Sequence, residues 1–154
     1  MQVRKMTIND YDDIYMLWLN TPGVGLNTTD DSKAGIEKYL SRNPNTCFVA
    51  VKDMVITGVI LSGHDGRRGL IYHMAVKLSE REQGTGTTLL EYALEALKNE
   101  GITKVYIMVF KNNTAGVAFW EKRGFISPDE ILHMGKSIIP VERIDTGKEG
   151  SNGH

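Results

Sequence analysis

Leu89, Leu90, Ala93, Leu94 and Leu97 recur at helical spacing, whereas residues 71–76 just upstream form a short apolar run of strand length. The rest of the chain reads by the same two periods. Residues 2–6 read as a first strand, and Tyr11, Ile14, Tyr15, Trp18 and Leu19 mark the apolar side of a helix capped by Asn9 or Asp10. Asp10, Asp12 and Asp13 fall in its first turn, where the helix dipole favours negative charge. Pro22, Gly23 and Gly25 break residues 20–29 into a loop. Ile36, Tyr39 and Leu40 lie on one side of a second helix, capped by Asp30 or Asp31 and stopped before Pro44. Runs at 47–52 and 55–61 predict a hairpin through Asp53 and Met54, and a turn at Asp65-Gly66 leads into a strand over 70–76. The long helix ends near Asn99 with Gly101 beyond it. A strand at 104–109, a helix at 114–123 and two closing strands at 124–126 and 131–139, paired with each other, complete the order β-α-α-β-β-β-α-β-α-β-β. That order predicts an α/β fold with a mixed central sheet and helices on both faces. The reading is a single domain over 1–140 followed by a tail, 141–154, without fixed structure, because residues 145–154 hold almost nothing apolar.

With 154 residues, 41% hydrophobic and 24% charged, the chain suits one globular domain. Its 18 basic and 19 acidic side chains leave a net charge of −1, which gives no electrostatic case for nucleic acid or an anionic membrane. No apolar run approaches the ~20 residues of a membrane helix, and no signal-like segment opens the sequence, so a cytoplasmic location is expected. Cys47 is the single cysteine. It excludes internal disulfides and multi-cysteine zinc sites, no metal is expected, and its apolar neighbours make it a small buried residue.

The strand-to-helix junction carries the candidate chemistry. Met74, Ala75 and Val76 end the strand, and Arg81, Glu82, Gln83, Gly84, Thr85, Gly86 and Thr87 lead into the helix. The first amides of a helix lack intrahelical acceptors and sit at the positive end of its dipole, so such a loop suits a phosphate. A dinucleotide fingerprint would need a third glycine where Leu89 stands, and a Walker loop would need Gly-Lys-Ser/Thr, which is absent. Arg81-x-x-Gly84-x-Gly86 after a strand instead resembles the pyrophosphate-binding signature of the GNAT family, the Gcn5-related N-acetyltransferases. The segment from Asn113 through Trp120 to Gly124-Phe125 is similar to that family's next signature, in the same order and at the same separation. The likeness spans residues 1–138 and is closest to bacterial members.

The resemblance implies acetyl-coenzyme A as co-substrate and a primary amine, on a small molecule or a peptide, as acceptor. It places the pantetheine arm along Met74, Ala75 and Val76, where that strand splays from a parallel partner at 104–109, with the pyrophosphate at residues 81–87 and Asn113 touching the cofactor. The family's catalytic groups are less well matched. Trp120 stands where tyrosine is the usual acid, and an indole N–H can solvate a thiolate but cannot protonate it. Neither strand carries a carboxylate, which leaves Tyr72 and His73 as candidate bases; strand alternation sends them to opposite faces, with Tyr72 on the side of Met74 and the acceptor. The sequence thus reads as an acetyltransferase, or alternatively as an acetyl-coenzyme A sensor or scaffold without turnover, and a homodimer is left open.

Overall fold

The computed structural model of the chain describes residues 1–146. Its elements are β1 (Gln2–Lys5), α1 (Tyr11–Leu19), β2 (Leu26–Asn27), α2 (Lys33–Arg42), β3 (Phe48–Lys52), β4 (Val55–His64), β5 (Gly69–Val76), α3 (Thr85–Asn99), β6 (Val105–Ile107), α4 (Thr114–Lys122) and β7 (Arg143–Ile144). A five-stranded sheet runs in the order β1-β3-β4-β5-β6. Its neighbours are antiparallel except for β5 and β6, which are parallel.

Each face of the sheet is covered by the apolar stripe of its helices. On one face Ile14 and Trp18 of α1 and Ile36 of α2 pack with Val49, Val59, Leu61 and Ala75. On the other, Leu89, Leu90 and Ala93 of α3 pack with Ala50, Ile60 and Ile71, and Phe119 and Trp120 of α4 lie against the margin. Each fully buried side chain of this kind contributes about 1.5–3 kcal/mol, so the two clusters hold the sheet between its helices. Close approach of α3 depends on Gly58: a Cβ there would lie 2.9 Å from Leu89 Cδ1 and 3.2 Å from Thr85 Cγ2. The hairpin between β3 and β4 turns through Asp53 and Met54 at φ 50° and 64°, the positive pair that a two-residue turn needs to match strand twist.

Three expectations change. The cap of α2 is Ser32, whose Oγ accepts from Gly35 N at 3.0 Å, because Asp31 is drawn inward to other partners. Residues 124–126 and 131–139 form no strands; Ile126 and the apolar side chains of 131–139 are exposed, since an apolar run becomes a strand only against a partner. The third concerns the tail. Within the loop 20–29, β2 pairs antiparallel with β7, and Thr146, fully buried, donates from Oγ1 to Val24 O at 3.1 Å. Residues 143–146 therefore belong to the fold, and the remainder of the expected tail, 147–154, lies outside the described residues. No helix among the described residues is long and apolar enough to cross a membrane.

Candidate active site

Parallel pairing of β5 and β6 covers only Gly69↔Val105, Leu70↔Tyr106 and Ile71↔Ile107. Beyond it β5 runs on to Val76 while β6 stops, and the strands part. Lys77 N donates to Thr57 O at 2.8 Å, toward β4. By alternation the backbone groups of Met74 and Val76 point the other way, into the gap that β6 has left. A crevice of about 90 Å³ opens there, lined by Tyr72, His73 and Met74 of β5, Ile107 at the end of the pairing and residues 108–110 beyond it, the α4 cap Asn113, Trp120 of α4, and Gly23 and Val24 of the loop before β2. Unpaired strand amides are costly unless something binds them, so the crevice is a place for a ligand with its own hydrogen-bonding backbone.

The glycine loop adjoins this crevice through Met74, whose Cε would lie 3.6 Å from a Cβ on Gly86. Gly84, at φ 83°, is the left-handed residue that starts α3, and Thr88 N is the first amide to find a helical acceptor, Gly84 O at 3.0 Å. Thr85, Gly86 and Thr87 precede it and present their amides outward. No acidic residue lies in the first turn. Two guanidinium groups flank it instead: Arg81, whose Nε donates to Val76 O at 3.2 Å, and Arg123. Arg123 lies over the Phe119 ring at 3.6 Å, donates from Nη1 to Phe119 O at 2.9 Å and from Nη2 to Thr87 Oγ1, and its buried Nε has no acceptor among the described residues. Helix dipole, outward amides and the two flanking cations make this helix start receptive to an anion. Glu82 adds a non-glycine left-handed residue at φ 62°, and Gln83 Nε2 ties the loop to Ser79 O at 3.2 Å. A methyl at Gly86 would meet Phe119 at 3.5 Å and Met74 Cε at 3.6 Å, ordinary contacts, so neither the backbone nor the packing requires glycine there.

Of the side chains expected in the site, Ala75 and Thr85 face the core, so only their backbone is offered. Asn113 caps α4 through Oδ1, which accepts from Gly116 N at 3.0 Å, and its Nδ2 faces Gly23. Trp120 packs edge-on against Phe119 and Phe125, at 5.0 and 5.1 Å between ring centroids, while also lining the crevice.

Tyr72 and His73 are not on opposite faces. The β4–β5 register shifts between Leu61↔His73 and Ser62↔Ile71, leaving Tyr72 as a bulged residue without a partner. The extra residue resets the alternation, so Ile71 and Met74 pack with α3 while Tyr72 and His73 both turn toward α1 and α2. The expected sharing of a face by Tyr72 and Met74 fails for the same reason. Tyr72 stands edge-on to Tyr39 at 5.8 Å and is 45% exposed; burial of its ring and the charge of Asp30 push its phenol pKa up. His73 is buried against Trp18, with Nδ1 2.9 Å from Tyr72 O and Nε2 2.7 Å from Asp31 Oδ1. Asp31 Oδ2 in turn accepts from Asn27 N at 2.8 Å. Both ring nitrogens of His73 thus face oxygen acceptors, and the side chain pins the bulge to the β2–α2 loop.

Sequence reasoning missed Asp31 and Arg123. Asp31 is 42 residues from His73, and no local pattern announces that pairing. Arg123 did carry a signal, since Phe119 and Arg123 stand at i and i+4 on a helix, the spacing of a cation–π pair.

The chain has marked likeness to known proteins. It is 28% identical over 139 residues to an acetyltransferase of Sodalis glossinidius, covering 90% of this chain and 96% of that one. It superposes on the PaiA N-acetyltransferase of Thermoplasma acidophilum, solved with coenzyme A, at TM-score 0.71 and 19% identity, over 83% and 91% of the two chains. An aminoglycoside acetyltransferase from an uncultured soil sample, solved with sisomicin, matches at TM-score 0.66 and 17% identity, over 90% and 96%. The model of the acetyltransferase (GNAT) family matches residues 11–125, the span that holds the glycine loop, the parted strands and Trp120, and the chain belongs to that family.

Proposed function

We propose that this protein transfers the acetyl group of acetyl-coenzyme A directly to a primary amine of a small molecule or peptide, in the cytoplasm. The observation that carries the reading is the parting of β5 from β6 beside the cation-flanked start of α3. Residues 84–87, Arg81 and Arg123 hold the pyrophosphate, and the backbone of Met74 and Val76 holds the pantetheine arm. When bound, the thioester would supply an acyl carbon open to attack by a neutral amine: the C–N bond forms, the C–S bond breaks, the nitrogen gives up one proton and the departing thiolate takes one up.

The chain contributes chiefly position, which alone can lower such a barrier by several kcal/mol. Tyr72 shares the crevice with Trp120, and its raised pKa keeps the phenol protonated at neutral pH. It therefore serves as a hydrogen-bond and proton donor rather than as a base. Trp120 solvates the sulfur, and His73 holds Tyr72 in place through the bulge. The amine reaches the site neutral by losing its proton to solvent.

The test is release of coenzyme A thiol from acetyl-coenzyme A, measured across a panel of polyamines, amino acids, aminoglycosides and peptide N-termini. Amine-dependent release with formation of the N-acetyl product is expected. Tight binding of acetyl-coenzyme A with no release on any amine would favour the sensor reading, which the tryptophan at 120 suggests.

A further inference from the structure

Gly23 and Val24 form one wall of the crevice, and Tyr72, His73 and Met74 form another. The first wall is loop and the second is the bulged part of β5, and among the described residues no ladder runs between them. Asp31 joins the two. It is 4% exposed, and His73 is 6% exposed. Its Oδ2 accepts from Asn27 N at 2.8 Å, and its Oδ1 lies 2.7 Å from His73 Nε2. Its carbonyl oxygen accepts from the Tyr11 hydroxyl at 2.6 Å, which ties the same residue to α1.

On the loop side Asn27 folds the chain into a compact knot, since its Oδ1 accepts from Thr29 N at 3.0 Å and from Asp30 N at 2.7 Å. A shift at Asp31 is therefore passed to β2 and the loop ahead of it. On the strand side a shift at His73 is passed to Tyr72, whose carbonyl oxygen lies 2.9 Å from His73 Nδ1. The protons on the ring decide how firm the connection is. A neutral imidazole has one donor and one acceptor nitrogen, yet both nitrogens of His73 face an oxygen, one of them a carbonyl that can only accept. Two protons on the ring satisfy both. The phenols beside the pair, Tyr11 and Tyr72, are pushed up in pKa by burial and stay neutral, so the Asp31 carboxylate is the group that balances the ring. A charge-assisted bond out of water is stronger and more directional than a neutral one.

We propose that Asp31 is a positioning residue for acetyl transfer: with an imidazolium at His73 it locks the loop wall of the crevice to the bulge of β5, and so sets where Tyr72 stands relative to the attacking amine. Asp31 does not line the crevice and acts through His73. Its effect on turnover holds on the reading above, that transfer takes place in this crevice.

Three measurements on the full chain test it. In nitrogen-15 NMR of histidine-labelled protein, His73 should carry a proton on both ring nitrogens at about pH 7 and lose one in Asp31→Asn, its signal being assigned by its absence in His73→Gln. Hydrogen exchange in Asp31→Asn should quicken on both walls together, at residues 24–27 and at residues 72–74. Turnover at saturating acetyl-coenzyme A should fall about tenfold or more in Asp31→Asn, with the Kd for acetyl-coenzyme A changed by less than about twofold. Asp31→Asn combined with Tyr72→Phe should be no slower than Tyr72→Phe alone, because both losses act at one donor. A singly protonated His73 in the wild type, exchange that quickens on one wall only, or losses of turnover that multiply in the combined variant would overturn the proposal. The ring measurement uses the wild type and so decides even where Asp31→Asn fails to fold. A wild type that transfers to no amine strikes the reading of the site instead, while the ring and the exchange still decide the lock.

Discussion

Replacing Gly86 by alanine should make this protein more stable and worse at binding acetyl-coenzyme A. Position 86 lies in the first turn of α3 without a positive φ, and the added Cβ would meet Phe119 and Met74 at 3.5 and 3.6 Å, which is ordinary contact. Glycine in a helix costs roughly 0.5–1 kcal/mol relative to alanine. In a domain of this size that corresponds to a rise of about 1–4 °C in melting temperature without ligand. The same methyl fills the space between β5 and α4 and pushes a phosphate away from the Gly86 amide. Loss of one hydrogen bond to a charged group costs about 1.5–3 kcal/mol, so affinity should fall roughly 10- to 150-fold. Gly84→Ala makes the contrast. At φ 83° it forces a side chain into the left-handed region, at a cost of about 1–2 kcal/mol, and should lower the melting temperature by about 2–8 °C. Calorimetric scans of the free variants and titrations with acetyl-coenzyme A read both quantities. Wild-type affinity in Gly86→Ala would refute the assignment of the phosphate site, and a marked loss of stability would refute the local geometry.

Trp120→Phe should keep turnover within about fivefold, below about 1 kcal/mol in barrier, because an indole cannot transfer the proton; near-total loss in a folded variant that binds cofactor would refute this. Tyr72→Phe should lower turnover at saturating cofactor with little change in cofactor affinity, whereas His73→Gln should lower both turnover and melting temperature; wild-type turnover in Tyr72→Phe would refute its role as donor. Asp10 is buried, which disfavours its charge, yet paired bonds from Arg4 at 2.8 Å and one from Thr7 N at 2.9 Å hold its carboxyl below the ordinary range. Its stabilisation is therefore present above the unfolded pKa of about 4 and is lost as pH falls through the folded value. Stability measured from pH 7 down to 3 should fall more steeply in the wild type than in Arg4→Gln, and parallel curves would refute the pairing.

Much of the fold was legible because its signals are local. The Asp53-Met54 turn, Gly84 before α3 and Gly101 after it each announce themselves within a few residues, and the helix faces follow from spacing alone. The loop proposed to take the phosphates was legible as a strand-to-helix junction for the same reason. What escaped depends on a partner distant in sequence. The bulge at Tyr72 arises from register with β4, and one extra residue inverts the facing of everything beyond it, so alternation counted along β5 alone gave the wrong answer. Asp31 looked like a helix cap until the fold brought it to His73. The apolar run 131–139 has strand composition, but among the described residues no sheet edge takes it up.

Hydrogen exchange with and without saturating acetyl-coenzyme A tests the central claim most directly, because it reads the backbone groups to which binding is assigned. The account predicts added protection in two places, the amides of residues 85–87 at the start of α3 and those of Met74 and Val76 on β5, with no comparable change on β1 or β3. Binding that leaves both places unprotected, or that protects another face of the sheet, would contradict it.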